Sequence, residues 1–206
     1  MNGLRSSSFK LLILLAHMLE NNIDMLAITE TNTSSTEGFH KLCNLSIDYP
    51  SVAGRFRIYW SDRDNKNKGS GVALIVSNKW GKHYWKHVAI SPYRLIVYFA
   101  FHGCVFDVNV LYSAPSADKS VVLAKAIEEA CAPYVLNPLT NNTTILLGDF
   151  NLCYNSAIDR FPPTDAPINS YLSVLTNHGF KDTYRELYAS DDTGRTNSNR
   201  LSIGHQ

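Results

Sequence analysis

The stretch TTILLGDFN, Thr143 to Asn151, constrains the fold more than any other part of the chain. Ile145, Leu146 and Leu147 read as a buried strand ending at Gly148. A carboxylate and an amide follow, separated by one phenylalanine. With a strand's period of two, Asp149 and Asn151 project to one side while Phe150 points into the core. Two readings fit that pattern. One is an ordinary exit turn in which Asp and Asn bond their own backbone. The other is a site at the carboxyl end of a buried strand, where α/β sheets place their ligands.

A second apolar run, Met25 to Thr29, also ends in a carboxylate, Glu30. Carboxylates at the ends of two core strands can meet across the edge of a sheet. Hard oxygen ligands of this kind suit Mg²⁺, which takes one or two carboxylates, several waters and substrate phosphate oxygens. Taken alone, Glu30 reads equally as a solvated residue opening a loop.

The rest of the chain supplies the frame. Ser6-Ser7-Ser8 offers N-caps for a helix over Phe9 to Asn22, apolar nearly all round and so expected to be buried. Thr31 to Glu37 reads as loop, Arg55 to Trp60 as strand, and Ser61 to Lys68 as a charged loop. Gly69-Ser70-Gly71 opens a strand over Val72 to Val76. Tyr93 to Phe101 and Val105 to Tyr112 are β-branched and aromatic runs joined at His102-Gly103, a hairpin pattern. Asp118 to Leu136 suits a helix, and Ile168 to Asn177 another, ended by Gly179. Strand runs between helices predict one α/β domain over 1–190, followed by a polar tail over 191–206 that looks loosely held.

Bulk properties exclude several classes. Hydrophobic residues at 45% and charged residues at 18% describe a globular chain able to build a core. A net charge of +1 gives no global field for a polyanion, so any nucleic-acid surface must be a local patch. Cys43, Cys104, Cys131 and Cys153 lack C-x-x-C spacing and read as buried free thiols rather than a zinc site. Arg5 and Lys10 before Leu11 to Ala16 imitate a leader, but no small-x-small cleavage site follows and the run falls short of the ~20 residues of a membrane span. An intracellular chain with no membrane partner is expected, a nuclear one if the partner is DNA.

Five pieces occur in an order that carries a resemblance: NGL (Asn2 to Leu4), NNIDMLAITETN (Asn21 to Asn32), GSGVALIVS (Gly69 to Ser77), NVLYSAP (Asn109 to Pro115) and ILLGDFN (Ile145 to Asn151). Together they resemble the endonuclease/exonuclease/phosphatase superfamily, which includes DNase I and the apurinic-site endonucleases. AIDR (Ala157 to Arg160) and GFKDTYR (Gly179 to Arg185) resemble the endonuclease domain of LINE-type retrotransposons. The resemblance implies a four-layer αββα sandwich of the DNase I-like type and Mg²⁺-dependent hydrolysis of DNA, with Mn²⁺ able to substitute. It makes Glu30 the metal ligand and Asp149 the group that orients or deprotonates the attacking water. Asn151 would donate to the scissile phosphate or fix the nucleophile, Tyr112 would stand beside the phosphate, and Asn2 would contact DNA. Asp159 and Asp182 read as structural.

Departures from the family pattern bear on competence. Tyr-Ser-Ala-Pro carries one residue more than the family's Tyr-x-Pro, which leaves Tyr112 equally readable as a half-buried strand-end tyrosine. Ser202 stands where an aspartate is usual, and His205 lacks the Ser-Asp-His context of the family's histidine. The family's first asparagine and its last strand or two are also missing. Weak activity or none is therefore expected, which keeps open an inactive nucleic-acid-binding remnant, beside a phosphatase of small phosphate esters. SNKWGKHYWKH, Ser77 to His87, interleaves Lys79, Lys82 and Lys86 with Trp80, Tyr84 and Trp85. It reads as a DNA contact, or as a surface turn whose aromatics face the core.

Overall fold

Helix α1 (Ser8–Glu20) carries Leu11, Leu15 and Met18 at helical spacing, and all three are fully buried. Phe9 and Ile13 are more than half exposed, at 66% and 53%. The helix is therefore one-sided, where its composition predicts burial all round. The structure is a computed structural model that describes residue 4 and residues 7–66, 68–113, 125, 128–129, 142–151, 170–187 and 203–204. Its contacts divide the chain into two units, Met1–Gly103 and Cys104–Gln206.

In the first unit, β1 (Met25–Ile28) and β2 (Phe56–Trp60) flank β3 (Ala73–Ser77), both antiparallel to it. Ala73 and Ile75 face a core built with Leu11, Leu15 and Met18, with Leu45, Ala53, Phe56 and Trp60. Leu74 and Val76, on the alternate positions, are equally buried, so β3 is covered on both faces as its unbroken apolar run predicts. A hairpin of β4 (Tyr84–Ser91) and β5 (Arg94–Phe101) follows. Tyr59 of β2 stacks on Tyr84 of β4 with ring centroids 4.7 Å apart. His102 and Gly103 both take positive φ, 48° and 77°, the backbone of a tight type I′ turn.

Helix α2 (Ser35–Asp48) occupies part of the stretch that reads as loop. Its start is a capping box: the Ser34 hydroxyl accepts from Glu37 N at 3.2 Å, and the Glu37 carboxylate accepts from Ser34 N at 3.1 Å. The Asp62 carboxylate accepts from the backbone N–H and hydroxyl of Ser35, at 2.9 and 2.8 Å. Between β3 and β4 lies the short helix α3 (Asn78–Gly81). Strand β4 is missed by sequence pattern because nearly every residue of it is exposed, which erases the period of two.

In the second unit, β6 (Cys104–Tyr112) and β7 (Asn142–Asp149) run parallel in register from Val105–Asn142 to Tyr112–Asp149. The helix expected over Asp118 to Leu136 falls outside the described residues except at 125, 128 and 129, which are helical. Helix α4 (Ser170–Asn177) ends in a Schellman motif: Phe180 N donates to Leu175 O and Gly179 N to Thr176 O, with Gly179 at φ 81°. Gly179 is thus the terminator that the sequence indicates. Strand β8 (Lys181–Asp182) and helix α5 (Thr183–Leu187) follow, and β9 (Ile203–Gly204) lies between β7 and β8, antiparallel to both. The tail expected to be loosely held therefore contributes two residues to a sheet. Parallel and antiparallel pairs together make this sheet mixed.

Cys43 is half-buried and Cys104 exposed, so the expectation of a buried thiol fails at Cys104, which opens β6 rather than lying inside it. Cys131 and Cys153 lie outside the described residues. Among the described residues no helix is long and apolar enough to cross a membrane.

Two measurements test this frame. Ser34→Ala removes half of the capping box and is expected to lower stability by about 1 kcal/mol, read as a shift of the urea midpoint at unchanged slope. The Ser35 donors hold the Asp62 carboxyl below its ordinary range, and the Lys79 ammonium does the same for Asp24. Both folded values lie below the unfolded ones, so this stabilisation is complete above about pH 4 and is lost as pH falls through the folded values. Acid titration of Asp62→Asn with Asp24→Asn should show a shallower loss of stability below pH 4 than the parent chain; equal slopes would contradict the assignment.

Candidate active site

Each acidic strand end is held by bonds to a segment distant in the sequence. Strand β7 ends at Asp149 with Gly148 before it at φ 143°. A Cβ at Gly148 would collide with the Leu111 carbonyl of β6, so only glycine lets the two strands approach here. Phe150 is fully buried, as the period of two requires. Asn151 leaves the strand, turning into the left-handed region at φ 50°. Its N–H donates to Asp149 Oδ1 at 2.9 Å, and its Nδ2 donates to Ser113 O at 2.6 Å. Ser113 N in turn donates to Asp149 O at 2.9 Å.

The turn is real, and it fixes the carboxylate and the amide beside the end of β6. One oxygen of Asp149 is engaged by Asn151 N–H, and Oδ2 has no hydrogen-bond partner among the described residues. Asn151 donates one of its two amide protons to Ser113, and its other amide proton and Oδ1 have no partner among the described residues. Ser113, which sequence reasoning passes over, is the hinge of this arrangement; it is buried, and its hydroxyl has no partner among the described residues. Tyr112 pairs with Asp149 in the ladder and is only 3% exposed.

In the first unit, Glu30 and Asn32 both adopt left-handed backbone, φ 53° and 50°. For glutamate this conformation costs about 1–3 kcal/mol and persists only when surrounding contacts impose it. The contacts come from Ser70 and Gly71: Thr31 N donates to Gly71 O at 3.0 Å and Asn32 N to Ser70 O at 2.8 Å. Asn32 closes the loop, accepting from Gly69 N at 2.8 Å and donating to Glu30 O at 3.1 Å. Gly69 and Gly71 have positive φ, and a Cβ at Gly71 would strike the Thr31 hydroxyl. The Glu30 carboxyl lies over Gly69, 3.7 Å from where its Cβ would be. Gly69-Ser70-Gly71, expected only to open a strand, is thus the brace of Glu30. The glycine spacing was the available signal.

Glu30 suits a hard divalent cation. It is a half-buried carboxylate held in a strained backbone, and its neighbour Thr31 has a buried hydroxyl with no partner among the described residues. Among the described residues no three His, Cys, Asp or Glu side chains gather into a cage. Magnesium does not need one, because it takes one or two carboxylates and fills the remainder with water and substrate oxygens.

The basic residues are more varied than their spacing suggests. Lys79 donates to Asp24 Oδ2 at 2.9 Å, Lys82 is exposed, and the Lys86 ammonium lies over the rings of Trp85 and Tyr98. Tyr84 packs inward, while Trp85 faces solvent, so the aromatics of this stretch divide between core and surface. Arg63 is drawn to Glu37 and to the Asn32 carbonyl. Asn2 and Asp159 lie outside the described residues.

Comparison with known proteins gives one family and several solved relatives in fold. The model of the endonuclease/exonuclease/phosphatase family matches residues 1–203. An AP endonuclease from Leishmania major is similar over 100% of this chain and 77% of its own, at 14% identity and TM-score 0.68. The catalytic domain of Xenopus laevis APE2 is similar over 100% and 80%, at 14% identity and TM-score 0.68. TDP2 from Caenorhabditis elegans is similar over 98% and 60%, at 15% identity and TM-score 0.59. These likenesses show the DNase I-like α/β fold. No curated protein matches the sequence.

Gly148→Ala tests the strand approach on which this site is built. It forces both an unfavourable φ and a collision with backbone, so a loss of several kcal/mol or failure to fold is expected. A thermal midpoint within about 2 °C of the parent would contradict the arrangement.

Proposed function

The chain belongs to the endonuclease/exonuclease/phosphatase family, and from that premise we propose that it is a Mg²⁺-dependent endonuclease cutting DNA, of the kind carried by LINE-type retrotransposons. The observation that carries this reading is the fixed end of β7, where Asp149 keeps one carboxylate oxygen without a partner among the described residues, beside Asn151. AIDR and GFKDTYR support the retrotransposon lineage. A nuclear compartment fits the substrate.

Glu30 is the proposed metal ligand, with Mg²⁺ or Mn²⁺ supplying positive charge against the negative charge that builds on the phosphoryl oxygens. Asp149 Oδ2 accepts a proton from the attacking water and holds it in line. Asn151, restrained by Ser113, directs its remaining amide proton to a phosphate oxygen, a fixed donor that needs no reorganisation as charge develops. Tyr112 has the phosphate-side hydroxyl that the family pattern gives it, and its packed ring holds the end of β6. Asn2, Lys79, Lys82 and Lys86 contact the DNA backbone, which fixes position without reading sequence. No enzyme-bound intermediate is required.

Nicking of supercoiled plasmid by the 206-residue chain is the test. Slow conversion to open circle, in keeping with the departures at Ser202 and His205, is expected with Mg²⁺ and none with EDTA, and Asp149→Ala should slow it by about a further hundredfold or more. Tyr112→Phe should fold normally yet slow nicking about tenfold or more; an unchanged rate would leave Tyr112 a packing residue only. Binding of plasmid without any metal-dependent nicking would favour a non-catalytic DNA binder over this proposal.

A further inference from the structure

Packing explains strand β4 less well than any other element of the first unit. Among the described residues it pairs with β5 alone. Its ladder is broken where Tyr84 pairs with Phe99 and Lys86 with Tyr98, which leaves Trp85 as the extra residue of a β-bulge. Trp85 is 56% exposed, an uncommon state for the largest apolar side chain. The Lys86 ammonium lies 4.7 Å from its ring centroid and 4.9 Å from that of Tyr98, and the two rings meet edge to face at 6.3 Å. A second irregularity, between Ala89 and Ser91, leaves Ile90 exposed as well.

Charge separates the candidate occupants of this face. Between Asp64 and Asp107 the chain has no carboxylate side chain, yet it carries Lys66, Lys68, Lys79, Lys82, Lys86 and Arg94. Of these, Lys66, Lys68, Lys79, Lys82 and Lys86 are exposed, Lys79 being paired with Asp24. An acid-free run beside an exposed indole suits a polyanion with aromatic groups. Self-pairing through the edge is disfavoured twice over, since the bulges interrupt the ladder and like charges from two copies would face each other.

We propose that this face of β4 binds single-stranded nucleic acid, with Trp85 stacking on an unpaired base and Lys86 and Lys82 meeting the flanking phosphates. This rests on the nucleic-acid reading above and names the strand state of the partner. A duplex has both faces of each internal base already covered by its neighbours, so an indole can stack only where bases are unpaired. Lys86 is already oriented across the rings, which places a cation where a phosphate would flank a stacked base.

Binding is to be measured in EDTA by anisotropy of labelled oligothymidylate and oligouridylate of about 16 nucleotides, beside a duplex of equal length. Tighter binding of the single strands is expected. Trp85→Ala should weaken it by at least about fivefold, while Trp85→Tyr restores most of the affinity. Lys86→Gln should lower the salt slope by about 0.7, as one phosphate contact does on a single strand. Equal affinity in Trp85→Ala, with the circular dichroism of the parent, would overturn the proposal. So would a wild-type dimer that Trp85→Ala dissolves without any oligonucleotide binding. Since hydrolysis cannot occur in EDTA, Trp85-dependent binding by a chain that never nicks plasmid sinks the hydrolase reading alone.

Discussion

The parallel pairing of β6 with β7 is the constraint on which the catalytic reading depends. Eight residue pairs run in register to Tyr112–Asp149, and the last steps bring the Leu111 carbonyl where any Cβ at position 148 would have to be. Glycine there costs conformational entropy, and the close approach it permits is the return. It lets Ser113 bond Asp149 through the backbone and receive the Asn151 amide. The Asp149 carboxylate and the Asn151 amide are thereby each tied to the main chain, which is what the role proposed for Asp149 needs.

The Glu30 end shows the same economy in a different form. Its backbone is held in the left-handed region by bonds from Thr31 and Asn32 to Ser70 and Gly71, and the Asn32 side chain ties both sides together. Asparagine recurs two residues after each carboxylate, at positions 32 and 151, with φ near 50° at both. That residue type tolerates the conformation and bonds locally, so it can turn a strand end without glycine. Left-handed backbone at Glu30 and at the asparagine two residues beyond each carboxylate, in a family of phosphate-ester hydrolases, fits a functional use of that strain.

Much of this was legible in the residues, and the failures have physical causes. The apolar run into GDFN fixes a buried strand, the burial of Phe150 and the turn after it, because all three depend on local sequence. Gly179 likewise marks the Schellman end of α4. Helix α2 escapes a hydrophobicity reading because its composition is polar, although Ser34 and Glu37 spell its capping box. Strand β4 has no alternation to detect, since solvent reaches both of its faces. The left-handed turn at Glu30 is imposed by residues far along the chain, which no local pattern encodes.

Metal binding by Glu30 is the claim most directly open to measurement. Mn²⁺ titration followed by electron paramagnetic resonance reads the ion itself and needs no turnover. The account predicts one saturable site in the 206-residue chain that Glu30→Gln abolishes while circular dichroism is unchanged. Saturable binding of equal affinity in Glu30→Gln, or no saturable binding in the parent chain, would contradict it.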